Sequence, residues 1–154
     1  GIIYNITSFA LAAFLVKFVW IGVILISPGV YAFTITFLEL PNARKRIFWS
    51  YLLFFLFVGS IPFGTFSVGV HQLPWFFFSK HGPLLPTFLV IFFLQMVLVF
   101  WFYVRALRNP SLSLLKRKQA RIIFIAFLVA YLGSFDFITN FEIPYYPLGF
   151  LFIS

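Results

Sequence analysis

Apolar residues run through this chain in long blocks, separated by short polar interruptions. Residues 2–40 carry only two charges, Lys17 and Glu39. A helix needs about 20 apolar residues to cross a bilayer. Counting back about 20–25 residues from Leu40 places Lys17 at the opposite surface, where its ammonium can snorkel to water. The first span is therefore predicted at 18–40. Residues 1–15 are then a helical extension or the tail of an earlier span. Residues 41–46, Pro-Asn-Ala-Arg-Lys-Arg, read as a short basic loop, and 47–68 as the second span. A third span is predicted at 85–104, before the breaker Asn109-Pro110-Ser111. A fourth follows at 119–137. A fifth opens at Tyr146, and 146–154 is too short to cross. The chain is thus expected to be part of a longer polypeptide. The predicted fold is all-α: one polytopic transmembrane helix bundle with four complete spans and the start of a fifth.

Prolines and small residues refine these spans. Pro28, within Ser27-Pro28-Gly29, removes a backbone donor and is read as a kink and hinge. Pro62 is read as a second. The far half of the second span holds Gly59, Ser60, Gly64, Thr65, Ser67 and Gly69. Small residues let helix backbones approach closely, so this half is expected to face another helix. Residues 71–84 combine Pro74, Trp75, three phenylalanines and Gly82-Pro83. Such aromatics favour the membrane–water interface, so the segment reads as a re-entrant or interfacial loop.

Composition sharpens the class. Hydrophobic residues make up 63% of the chain and charged residues 9%, against roughly 45–50% and about 25% in soluble domains. The net charge of +8 comes from helix-flanking Lys and Arg. Arg44, Lys45, Arg46, Arg105, Arg108, Lys116, Arg117, Lys118 and Arg121 fall in two regions that the positive-inside rule assigns to the cytoplasm. Their expected partners are anionic lipid headgroups, not nucleic acid. Other transmembrane helices or a larger membrane complex are the expected protein partners. The absence of cysteine removes disulfide and thiolate chemistry.

Few residues carry candidate chemistry. Asp136 falls near the outer end of the fourth span, and an acid at membrane depth is a functional candidate. Two readings stand for it: a cavity-lining carboxylate, or an interfacial one, solvated or paired with Lys17. Gln95, at the middle of the third span, hydrogen-bonds a neighbouring helix or touches a ligand. His71 and His81 share a loop and have Glu142 as an outer carboxylate, which is a sparse set for a metal; none is expected. Both histidines lie outside the spans, which argues against haem. Lys17 at the membrane edge argues against a retinal Schiff base. No nucleophile elbow, phosphate-binding loop or zinc motif occurs, so no enzyme site is expected within these residues. No cofactor is called for, although the 26 phenylalanines leave room for bound lipid, quinone or pigment.

Two motifs carry a resemblance. Lys116-Arg117-Lys118-Gln119, with Arg121, precedes an apolar span that closes at Asp136. Ile143-Pro144-Tyr145-Tyr146-Pro147-Leu148-Gly149 follows. Together they resemble the sixth and seventh helices of the seven-transmembrane N-terminal sensor region of bacterial histidine kinases and some diguanylate cyclases. The helix around Pro28 with its basic loop is similar to that family's third helix, and Gly82-Pro83-Leu84 to its outer loop. Lys118, between the basic pair and Arg121, makes the match approximate. The resemblance implies a bacterial inner (cytoplasmic) membrane location and a sensory role. It implies that the first two helices, most of the last and the output domain lie outside this chain. The expected function is then an input domain coupling an outer-face or lipid-borne cue to a cytoplasmic output. The alternative is a non-catalytic structural or accessory subunit of a larger pigment- or quinone-containing complex. A transporter ranks third, because mid-membrane charges are absent.

Overall fold

The computed structural model describes residues 9–72 and 77–141. Four long helices dominate: α1 Phe9–Phe37, α2 Ala43–Ser60, α3 Leu85–Arg108 and α4 Leu114–Leu132. Each overlaps a stretch long and apolar enough to cross a membrane: Phe14–Phe37, Ala43–Phe63, Leu85–Arg108 and Leu114–Ile138. The chain is a multi-pass helical membrane protein. The fifth predicted span, from Tyr146, and Glu142 lie outside the described residues.

α1 does not start after Lys17. It is one helix from Phe9, with Lys17 exposed inside it. It ends at Phe37, three residues short of the predicted limit. The reason is a backbone turn: the Glu39 amide donates to the Thr36 carbonyl, and the Leu40 amide to that of Ile35. These two bonds form a Schellman closure, which needs a left-handed residue. Glu39 takes that role with φ 52°, and Pro41 follows. Asn42, also left-handed at φ 58°, opens α2. Arg44, Lys45 and Arg46 are therefore the first turn of α2 and not a loop.

The second span is shorter than predicted. α2 ends at Ser60 and tightens into a 3-10 turn, Ile61–Phe63. Ser60 Oγ donates to the Phe57 carbonyl and Thr65 Oγ1 to the Ser60 carbonyl, so side chains satisfy the helix end. Gly64, at φ 69°, turns the chain out of the helix. Pro62 is exposed in this terminal turn and kinks no helix interior. Gly64, Thr65, Ser67 and Gly69 do not line a helix interface. They belong to the turn and to β1, Ser67–Gln72.

β1 pairs antiparallel with β2, Phe77–His81, in register Val70 with Ser79 and His71 with Phe78. The expected interfacial loop is thus a hairpin, bulged between Ser67 and Gly69. Trp20 Nε1 on α1 donates to Ser79 Oγ at 3.0 Å, tying the hairpin to the bundle. Gly82 seats its far end. The Gly82 amide donates to the Phe66 carbonyl at 2.9 Å, and a Cβ there would lie 2.3 Å from the Thr65 carbonyl oxygen. Only glycine fits so close an approach.

Two buried clusters follow. Trp20, Phe54, Phe57, Phe66, Phe88 and Phe92 belong to the one under the hairpin. Phe66 and Phe88 rings meet edge-to-face at 5.3 Å, and Trp20 and Phe66 pack tilted at 5.4 Å. Tyr31, Ile35, Val99, Tyr103 and Ala120 form the second, toward the basic residues. α4 buries only Ala120 fully, with Ile123, Phe124, Phe127 and Tyr131 half-buried against the clusters. Beyond Leu132 it tightens into a 3-10 segment, Gly133–Phe141, which packs on β2.

Candidate functional site

Buried polar groups in a bilayer need protein partners, because no water reaches them. Three helices meet this demand at one point. Ser27 Oγ of α1 donates to Gln95 Oε1 of α3 at 3.0 Å. Gln95 Nε2 donates in turn to Ser50 Oγ of α2 at 2.6 Å. Ser27 and Ser50 are buried. Gln95 thus bridges two hydroxyls as both acceptor and donor, which an amide can do and a carboxylate cannot.

Pro28 lies next to this relay, buried inside α1. A proline has no N–H to offer the Ile24 carbonyl, so the helix is weakened where it meets the relay.

The relay forms part of the wall of a groove between α2 and α3, with a volume of about 580 Å³. Its apolar lining comes from Leu53, Phe54, Ile91, Leu94 and Leu98, with Trp49 and Tyr31. One end is basic and polar: Asn42, Lys45 and Arg46. The Arg46 guanidinium also lies 5.9 Å from the Phe102 ring centre. Leu53, Leu94 and Trp49 are exposed, so the groove opens sideways toward the lipid. The volume falls in the range of small-molecule sites, roughly 300–1,000 Å³. A basic end and a largely apolar length, broken by the paired Ser50 and Gln95, suit an amphiphile.

Of the ligand candidates singled out from the sequence, the groove takes in Gln95, and of the basic headgroup candidates Lys45 and Arg46. Gln95 is at the relay. Lys17 stands exposed on α1, and Asp136 is half-buried in the 3-10 segment against the hairpin; neither lines the groove. The His71 backbone is in β1, and its side chain lies outside the described residues. His81 Nδ1 is 3.2 Å from the Asn140 carbonyl oxygen, and its ring stacks on Phe141 at 4.9 Å. Among the described residues no three His, Asp or Glu side chains gather as a metal site. Of the hinge candidates, Pro28 adjoins the relay and Pro62 does not.

No family model, curated protein or solved structure matches this chain. The resemblance to the seven-helix sensor region rests on its short motifs alone.

Sequence reasoning missed Ser27 and Ser50. The signal was present but weak. Each is a small hydroxyl inside an apolar block, where it either bonds its own helix or reaches a neighbour. Which of the two happens depends on helix rotation, and periodicity over such uniformly apolar blocks does not define it.

Proposed function

We propose that this chain is the membrane-embedded input region of a bacterial signal-transduction protein in the inner (cytoplasmic) membrane. Its basic end faces the cytoplasm in this reading, as the positive-inside rule expects. The observation that carries the proposal is the Ser27–Gln95–Ser50 relay in the wall of a groove open to lipid. An occupant lying against Ser50 and Gln95 changes the spacing of α2 and α3, and with it the hydrogen bonds joining α1, α2 and α3. It favours one packing of these helices over another, which is how a ligand shifts a population. Pro28 beside the relay lowers the cost of such a repacking. α2 and α3 lead straight from the groove to the basic end, where an output domain would receive the change. No chemistry is assigned to these helices.

The test uses the full natural polypeptide in its own membrane. Peptide mapping is expected to find kinase or cyclase sequence beyond residue 154. Gln95→Leu is expected to change that output by about fivefold or more, the lower end of typical coupling energies. Absence of an output domain, or an output unchanged by Gln95→Leu at equal protein level, overturns the reading. Asp136→Asn in the same assay separates a lipid-borne cue from an outer-face one. A change with Asp136→Asn alone favours the outer face.

A second reading, an accessory subunit of a larger membrane complex holding quinone or pigment, has α4 in its favour. That helix buries only Ala120, leaving Ile122, Ile125, Val129 and Leu132 exposed. Purification from native membranes under mild detergent distinguishes it: the chain would co-migrate with stoichiometric partners.

A further inference from the structure

We propose that the groove between α2 and α3 holds one anionic glycerophospholipid, drawn from the leaflet at the basic end. This deepens the reading of the groove as an input site, and relies on it only for what binding does. The first argument is charge. The first turn of α2 contains Arg44, Lys45 and Arg46 and no acid. Cations at a helix N-terminus oppose the helix dipole, so helix stability does not account for them. Membrane sidedness accounts for basic residues at this level; that two of them, Lys45 and Arg46, line the groove beside Asn42 is what fits an anion held there.

The second argument is length and direction. Asn42 to Phe54 along α2 spans about 18 Å at 1.5 Å per residue. Half the hydrocarbon core of a bilayer is about 15 Å. A headgroup at Lys45 therefore leaves an acyl chain lying along Leu53 and Leu94 toward mid-membrane. The third argument is access. The exposed lips, Trp49 and Leu94 among them, face lipid, so the groove fills from the bilayer. Trp49 lies one turn below Lys45, the depth where indole rings favour the headgroup boundary. A soluble phosphate compound would satisfy the charge and leave the apolar length empty. Gln95 and Ser50 are already hydrogen-bonded to each other, so a chain passing them strands no polar group.

The test is native mass spectrometry of the detergent-solubilised chain, titrated with dioleoyl phosphatidylglycerol or dioleoyl phosphatidylcholine. We expect one phosphatidylglycerol to be retained at about tenfold lower concentration than phosphatidylcholine, equivalent to about 1.4 kcal/mol. Lys45→Gln, alone or with Arg46→Gln, should bring the anionic lipid to the zwitterionic level. Leu94→Trp, on an exposed position that leaves the core intact, should fill the groove and weaken both lipids. Lys118→Gln with Arg121→Gln, exposed on α4 and away from the groove, should leave the preference intact. Equal retention of the two lipids overturns the proposal. So does an α4 double variant that loses as much preference as the α2 variants, because the attraction is then generic. Retention reads occupancy and not output. Lipid retained with output deaf to Gln95→Leu sinks the input reading and keeps the site. No lipid preference with output responsive to Gln95→Leu does the reverse.

Discussion

The two ends of this bundle are held by different physics. At the hairpin end, aromatic rings fill a buried cluster, and backbone and indole hydrogen bonds fasten a hairpin over it. At the basic end, a smaller buried cluster around Tyr31, Ile35, Val99 and Tyr103 lies under two short turns, and an exposed ion pair, Lys116 Nζ to Glu39 Oε1 at 2.5 Å, ties those turns together. Packing is short-ranged and steric, so the hairpin end tolerates little change. Exposed charge is screened, so the turns that close the basic end tolerate more. The hairpin end is thus the more rigidly packed of the two, with the relay between them.

The strongest way to break the contrast is to hollow the rigid end. Phe88 is fully buried and touches the rings of Trp20, Phe54, Phe57, Phe66 and Phe92. Phe88→Ala should cost about 3–5 kcal/mol, the range for large-to-small changes in a core. The check is the shift in unfolding midpoint when mixed micelles are titrated with sodium dodecyl sulfate. A cost below about 1 kcal/mol would mean that this cluster does not act as a core.

Gly82→Ala comes next, at about 1–3 kcal/mol. The added Cβ meets the Thr65 carbonyl oxygen at 2.3 Å and carbon at 2.6 Å, and backbone cannot rotate away. The hairpin should lift from its seat. In a spin-label or exchange measurement, amides of β1 should lose protection while α4 keeps its own.

How readable each end was follows from the same difference. Basic residues mark membrane sides, so the clustering of Arg44–Arg46 with Arg105 and Lys116 at one end was legible from charge alone. Helix count was legible too, because four apolar blocks exceed a bilayer's thickness. The hairpin was not. Ser67-Val68-Gly69-Val70 continues the hydropathy of α2, and a short 3-10 turn with the left-handed Gly64 separates helix from strand. A glycine in an apolar block reads equally well as a close helix contact, which is how Gly64 and Gly69 were misplaced. Gln95 was legible as a hydrogen-bonding residue, since a mid-membrane amide needs partners. The partners were not, because they depend on the rotation of α1 and α2. The groove lay further out of reach still, being a shape between two helices.

The relay offers a middle-sized test. Gln95→Leu removes two side-chain hydrogen bonds and leaves Ser27 and Ser50 free to bond carbonyls of their own helices. The expected loss is about 0.6–2 kcal/mol, as for interhelical hydrogen bonds in membranes. It should fall well below the loss for Phe88→Ala in the same micelle titration. A loss as large would mean that the relay, and not the aromatic cluster, holds the helices together.

The smallest effects belong to Glu39, where two contributions oppose each other. Its carboxylate pairs with Lys116, worth about 0.2–1 kcal/mol at an exposed position. Its backbone is left-handed, which costs a residue with a Cβ roughly 1–2 kcal/mol. Glu39→Gln removes the pair and keeps the strain, so stability should fall slightly, and less at high salt. Glu39→Gly removes both. Relief of the backbone should equal or exceed the lost pair, leaving the protein as stable as before or slightly more so. The order glycine above glutamine, with the two converging on no common value as salt rises, marks the turn as a backbone device with a charge added to it. The opposite order would make the ion pair the real fastener of the basic end, and the contrast between the two ends would narrow.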